Sequence, residues 1–323
     1  MSREKLSVVV SLGTTAAFLA LALRKVDFGV LWPWVLRMDW RWIPLLVFLG
    51  LWDLAMRAVR WRLLLAPLAR ASVAELFGLE TVGLAVNNIL FFRLGEIART
   101  LLAGRRLELP FMSVFSTVIV ERYLDVSSLA TLFAFAAWLL PGFLPAAARH
   151  AALWAPALLW GGLALFVLLR GAFGPGGAVA ARLSSRPRIQ AAVVELSAGA
   201  LALRGRAAAG IVGCGFLLWA ADALIYWTSA QALGLGMIDY PRALLVLSWA
   251  GAGAALPAVP GAFGTFEAMV KDIAMRCGAS PTQAFGYAFV THMAGYLMVT
   301  TMGLFFLYKA EIAIADFLKM RRE

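Results

Sequence analysis

The sequence predicts an all-α polytopic membrane protein: about six full spans plus two re-entrant broken hairpins, arranged as an inverted repeat of two halves. Three observations predict it. Hydrophobic residues make up 62% of the chain and charged residues 15%, against about 25% charged in soluble domains; mean hydropathy is +0.83. Six runs reach the roughly 18 apolar residues that a spanning helix needs. Two more runs are equally apolar but are interrupted by polar residues, Pro and Gly. No alternating pattern of about ten residues recurs, which argues against an outer-membrane barrel.

The six continuous runs lie near residues 6–23, 42–65, 111–140, 151–170, 208–233 and 284–308. The first follows a basic start, Met1-Ser-Arg-Glu-Lys5, with no small-residue cleavage site before Arg24, so it is expected to be a retained span and not a removed signal. The interrupted runs cover 72–102 and 242–276. The first is broken at Asn87-Asn88 and Arg93-Leu-Gly-Glu96, the second at Pro257-Ala-Val-Pro260-Gly261 and Gly264. Pro removes a backbone donor and Gly relaxes φ. A broken helix at membrane depth survives only where protein or a cavity satisfies its backbone.

Charge assigns the sidedness. If both interrupted runs leave on the side they entered, the arginines from Arg170 to Arg206 fall on the same side as both termini, and that side holds most of the basic residues. If both span, the Arg-rich loop moves outside, which the positive-inside rule disfavours. Both termini are therefore expected in the cytoplasm, with the chain multi-pass in its membrane. The single domain, 1–323, divides into halves of roughly 1–140 and 151–310. Each half has three spans, with a hairpin before the last, so the halves run in opposite directions. Discontinuous helices meeting near the midplane mark many transporters. The basic loop 171–207 is expected on the cytoplasmic side, with 189–203 as a short interfacial helix on anionic lipid.

The net charge of +11 does not indicate nucleic acid, because most of it sits between apolar runs where it sets topology. Cys214 and Cys277 form no metal or disulfide motif, and His150 and His292 are far apart. No metal and no cofactor are expected.

Ionisable groups inside the apolar runs mark the candidate site, since each costs about 2.5–3.5 kcal/mol at a helix centre on insertion scales. Asp53, Arg57 and Arg60 share a face, and Asp53 can pair with Arg57 at i, i+4. Arg60 and Arg62 are expected to snorkel to the cytoplasmic edge. Ser113, Thr117, Glu121, Asp125 and Ser128 form a polar stripe at helical spacing, with Arg122 about a hundred degrees around from Glu121. The stripe suits a helix-stapling network or a functional site. Asp222 stands alone on its run and suits helix packing. His292 and Tyr296 share a face. Glu267, just after the second break, suits a cap, a cation or proton site, or a gate, and the restarting half-helix there suits an anion.

Four ordered pieces carry a family resemblance: Arg57-Ala-Val-Arg60-Trp61-Arg-Leu-Leu64, Asn87…Arg93-Leu-Gly95-Glu96-Ile-Ala-Arg99, Glu121-Arg122-Tyr-Leu-Asp125, and Pro257-Ala-Val-Pro260-Gly261-Ala-Phe-Gly264-Thr-Phe-Glu267. Together they resemble the flippase-like transmembrane region of lysylphosphatidylglycerol synthases, which also occurs as stand-alone proteins. The chain departs from that pattern with Phe91 where a Pro is common and Gly261-Ala262 where a Gly pair is common. After the last run only the basic tail 309–323 follows, so the expectation is a chain that moves or holds a lipid and does not aminoacylate one.

The resemblance implies an integral membrane lipid translocator for an anionic or aminoacylated phospholipid, or another phosphate-bearing lipid. The headgroup would sit in a polar intramembrane cavity. Arg93, Arg99 and Arg122 would hold phosphate, as Arg offers a forked donor set. Glu96, Glu121 and Asp125 would position those Arg or meet a cationic group. Asn87 and Pro260 would shape the breaks, and Gly95, Gly261 and Gly264 would admit close backbone approach. Asp53, Arg57, His292 and Tyr296 would support the site beside Glu267. The alternative is a membrane scaffold whose basic loop and tail recruit a soluble lipid- or sugar-modifying enzyme. A homo-oligomer is a further expected partner, whereas nucleic acid is not. Catalysis by Glu121, Asp125 or His292 lacks a nucleophile or metal set, so no enzyme is expected.

Overall fold

The computed structural model describes residues 3–91 and 94–309. Among these the chain is helical and has no strand. The first half contains α1 (Arg3–Leu23), α2 (Phe28–Leu36), α3 (Ile43–Leu65), α4 (Val73–Ile89), α5 (Gly95–Leu107) and α6 (Phe111–Leu139). The second contains α7 (Ala146–Phe173), α8 (Ala178–Arg182), α9 (Pro187–Ser197), α10 (Gly205–Ala232), α11 (Tyr240–Ala255), α12 (Thr265–Arg276) and α13 (Pro281–Lys309).

The six continuous apolar runs become α1, α3, α6, α7, α10 and α13. Four segments, Trp40–Leu65, Ala146–Phe173, Gly205–Ala232 and Pro281–Lys309, are long and apolar enough to cross a membrane, and the bent pair α1–α2 makes a fifth. Helix α6 lies outside that set, as its polar stripe lowers its hydropathy. The first run also does more than expected: after Leu23 the chain turns by 79° into α2. Asp27 caps α2 by accepting from the Gly29 and Val30 N–H groups, which satisfies donors that a helix start leaves free.

Both interrupted runs form two half-helices folded on each other. Ser72 caps α4 through the Glu75 N–H at 3.1 Å, and the first break follows Ile89. The second break runs from Leu256 through a single 3₁₀ turn, Pro260–Ala262, to α12. Gly261 (φ +74°), Ala262 (φ +57°) and Gly264 (φ +84°) there take left-handed backbone.

The contacts repeat between halves. Helix α3 packs on α4 as α10 packs on α11, α4 on α5 as α11 on α12, and α5 on α6 as α12 on α13. Across the halves, α4 packs on α13 as α11 packs on α6, and α3 meets α10. Each half has its own apolar cluster: one around Trp61, Leu64, Leu76, Val118 and Leu124, the other around Leu235, Leu244, Ile273 and Tyr287. Alanines such as Ala223, Ala230, Ala243 and Ala250 let helices approach closely, which matters where dispersion, not water expulsion, drives association.

Helix α7 is peripheral. It is fixed to α6 by the Tyr123 hydroxyl donating to the Leu159 carbonyl (2.7 Å) and the Trp160 indole donating to Thr131 (2.9 Å). Its outer face exposes Leu158 and Leu168. The loop 171–207 differs from a purely interfacial segment. After α9, residues 198–203 tuck against α6: Gly199 abuts the Ser116 backbone, leaving no room for a side chain, and Ala200 and Ala202 are buried. Lys271 is also buried, its ammonium donating to the Ala22 and Arg24 carbonyls at 2.7 and 2.6 Å. It thereby caps the C-terminus of α1 and fastens it to α12.

Candidate functional site

Two layers of polar groups meet between the helix breaks. The inner layer is a buried ion network spanning α3 to α6. Arg60, fully buried, donates to Asp125 at 2.6 Å and lies 3.5 Å from Glu121. Arg99, 3% exposed, is held between Glu80 and Glu121, the latter at 2.9 Å. Arg122 pairs with Glu121 and reaches Asp125 at 3.2 Å. Two tryptophans complete it. The Trp219 indole donates to Asp125 at 2.9 Å, and the Arg99 guanidinium lies 4.8 Å from the centre of the Trp61 ring, a cation–π arrangement. The Trp61 indole donates to Thr117 at 3.0 Å. Ser113, Thr117, Glu121, Asp125 and Ser128 are all buried, as the polar stripe requires.

The outer layer lines a cavity of about 420 Å³. On one side are Asp53, Arg57, Arg122 and Asp222. Arg57 holds Asp53 through two bonds, at 2.8 and 3.0 Å, and lies 5.3 Å from the centre of the Trp219 ring. On the other side are Asn87, Glu96, Pro260, Gly261, His292 and Tyr296. The cavity thus sits between the two breaks, where α4 contacts the Pro260–Ala262 turn.

The first break is closed by Asn87. Its oxygen accepts the Gly95 N–H at 2.7 Å, and its amide donates to Glu96 at 3.1 Å. Asn88 donates to Thr300 of α13 at 3.0 Å, and the Tyr296 hydroxyl reaches the Asn88 carbonyl at 3.4 Å. At the second break Glu267 accepts the Gly264 N–H at 2.6 Å with one oxygen and contacts His292 Nδ1 at 2.6 Å with the other. The Val259 N–H donates to Thr15 at 3.0 Å, tying the break to α1. Phe266 stacks on the His292 ring with centroids 4.3 Å apart.

The structure brings most of the expected residues together but divides their roles. Asn87, Glu96, Arg122, Pro260, Gly261, Asp53, Arg57, His292 and Tyr296 line the cavity. Arg99, Glu121 and Asp125 stand behind it in the buried network. Gly95 packs on the Gly83 carbonyl, and Gly264 on Thr15 and Leu19 of α1; of the three glycines only Gly261 faces the cavity. Glu267 is a cap and the partner of His292. The Gly95 and Gly264 N–H groups are already taken by Asn87 and Glu267, so those two donors do not receive an anion. Arg93 lies outside the described residues.

The structure departs from the sequence reading at Arg60, Asp222 and Glu80. Arg60 does not snorkel; Asp125 and Glu121 draw it fully inside, while Arg62 is exposed. Asp222 is not solitary but shares the cavity wall with Asp53 and Arg57. Glu80 anchors Arg99, and Asn88 spans to α13. Glu80 had a signal of its own, an acid within an apolar run. Among the described residues no group of three His, Cys, Asp or Glu could hold a metal ion.

Searches of curated proteins and of solved structures returned no match. Residues 6–303 match the family described as the lysylphosphatidylglycerol synthase TM region. That span takes in both helix breaks, the buried network and the cavity, and the chain belongs to this family of membrane proteins.

Proposed function

We propose that the chain is a lipid translocator whose cavity receives the headgroup of an anionic or aminoacylated phospholipid, or of a related phosphate-bearing lipid. The observation that carries this reading is the mixed-charge cavity between the two breaks, with Arg122 joining both layers. Arg122 lines the cavity with 36% of its side chain exposed. Glu121 and Asp125 both engage its Nη2, its Nε is buried without a hydrogen-bond partner, and the exposed part of the guanidinium turns to the cavity. A forked donor so placed suits a phosphate. Asp222 beside it and Glu96 across the cavity suit a cationic substituent. Buried ion networks contribute little net stability, so fastening helices is a weak reason to keep this one. The acyl chains would stay outside the polar cavity while the headgroup crosses.

The test is to extract the protein gently and identify the lipids that remain bound, comparing wild type with Arg122→Ala. The reading expects one phosphate-bearing class to be enriched on wild type and lost from the variant. If both retain only bulk lipid, the charges fasten helices and the translocator reading fails.

A further inference from the structure

Besides the polar cavity, apolar hollows open among the described residues. One lies on α3 and α10 and is walled by Phe48, Trp52, Leu217 and Leu224; it shares no lining residue with the polar cavity. Another, about 80 Å³, lies between α4, α5 and α13, and its lining is entirely apolar. Leu90, at the first break, lines both this groove and the polar cavity. The continuity is repeated on α13. Val299 faces the cavity, and Gly303 and Leu307 face the groove. These three follow i, i+4, i+8 and so form one stripe along the helix. Near the junction Asn88 donates to Thr300, and beyond it, among the described residues, no polar side chain lines the groove. The outer rim is open: Leu304 is 42% exposed.

A polar chamber and an apolar groove that share Leu90 have together the two-part chemistry of an amphiphile. We propose that one acyl chain of the lipid is seated in the α4/α5/α13 groove while its headgroup occupies the cavity, so that the lipid enters sideways past Leu90. This rests on the headgroup reading above. It adds a defined acyl-chain site and selects one lateral face of the molecule. The α3/α10 hollow, though larger, lacks the connection.

The test uses the full chain in phosphatidylethanolamine–phosphatidylglycerol vesicles with two phosphatidylglycerol probes. One carries a diazirine in an acyl chain, the other on the headgroup; cross-linked peptides are mapped by mass spectrometry. The outer face of α7, at Leu158 and Leu168, serves as the reference for bulk lipid. The proposal expects chain cross-links to be several-fold enriched over α7 on the segments holding Val82–Leu90 and Gly303–Leu307. It also expects that enrichment to be lost in Ala98→Phe, which fills the groove. Leu304→Trp, on the exposed rim, should reproduce the loss without disturbing the packed interior. Equal chain labelling of groove and α7, with headgroup labelling of the cavity, overturns the acyl-chain site and leaves the headgroup reading standing. Headgroup labelling absent from the cavity removes the headgroup reading and the acyl-chain site with it.

Discussion

Arg60 shows most sharply how a single residue depends on its partners. It is fully buried, and its guanidinium is held by Asp125 at 2.6 Å. Asp125→Ala removes that partner and also strands the Trp219 indole, and breaking a buried pair costs about 3–5 kcal/mol. A marked fall in melting temperature in detergent is the expected outcome. Arg122→Ala should behave differently, because Glu121 still has Arg60 and Arg99; the fold should persist while lipid transport is lost. A third substitution tests backbone and not charge. Ala262 sits at φ +57°, where a Cβ costs roughly 1–2 kcal/mol. Ala262→Gly should raise stability, by about 1 kcal/mol or less once glycine's extra chain entropy is counted, as read by thermal melting. Sequence reasoning found Arg57 with Asp53 because they are one helical turn apart. It misplaced Arg60 because Asp125 lies 65 residues away, and nothing local distinguishes an arginine that snorkels from one drawn inward.

At the scale of elements, the two hairpins organise the site. In each, the second half-helix starts beside a glycine and carries a glutamate in its first turn, Glu96 in α5 and Glu267 in α12. The glutamates are both bonded near the break, one to Asn87 and one to the Gly264 N–H and His292. A carboxylate at a helix start is favoured by the local dipole, which explains the recurrence without a conserved sequence between halves. The closeness of α4 and α5 at Gly83 and Gly95 has its own consequence. A side chain at Gly95 would strike the Gly83 carbonyl and Asn87. Overpacking costs about 1–3 kcal/mol, so Gly95→Val should open the hairpin and increase proteolysis between α4 and α5. The positions of both breaks were legible from Pro, Gly and polar interruptions in otherwise apolar runs. The neighbour of each glycine was not, since Gly264 packs on α1 and Gly95 on α4, and a contact between helices leaves no local pattern.

For the whole molecule, the repeated contacts bring the two breaks to one cavity, with α3 meeting α10 between the halves. The all-helical fold class followed from hydropathy because membrane helices must satisfy their own backbone. The bend into α2 and the docking of residues 198–203 on α6 did not, because both depend on small residues finding partners elsewhere. As a translocator, the protein would carry a lipid headgroup through the cavity between leaflets. The most direct measurement is equilibration of a labelled phosphate-bearing phospholipid in proteoliposomes, with wild type and Arg122→Ala reconstituted in equal amounts and both checked for intact folding. Wild type should equilibrate the label, and the variant should fall to the rate of protein-free vesicles. Equal rates from two well-folded proteins would contradict it.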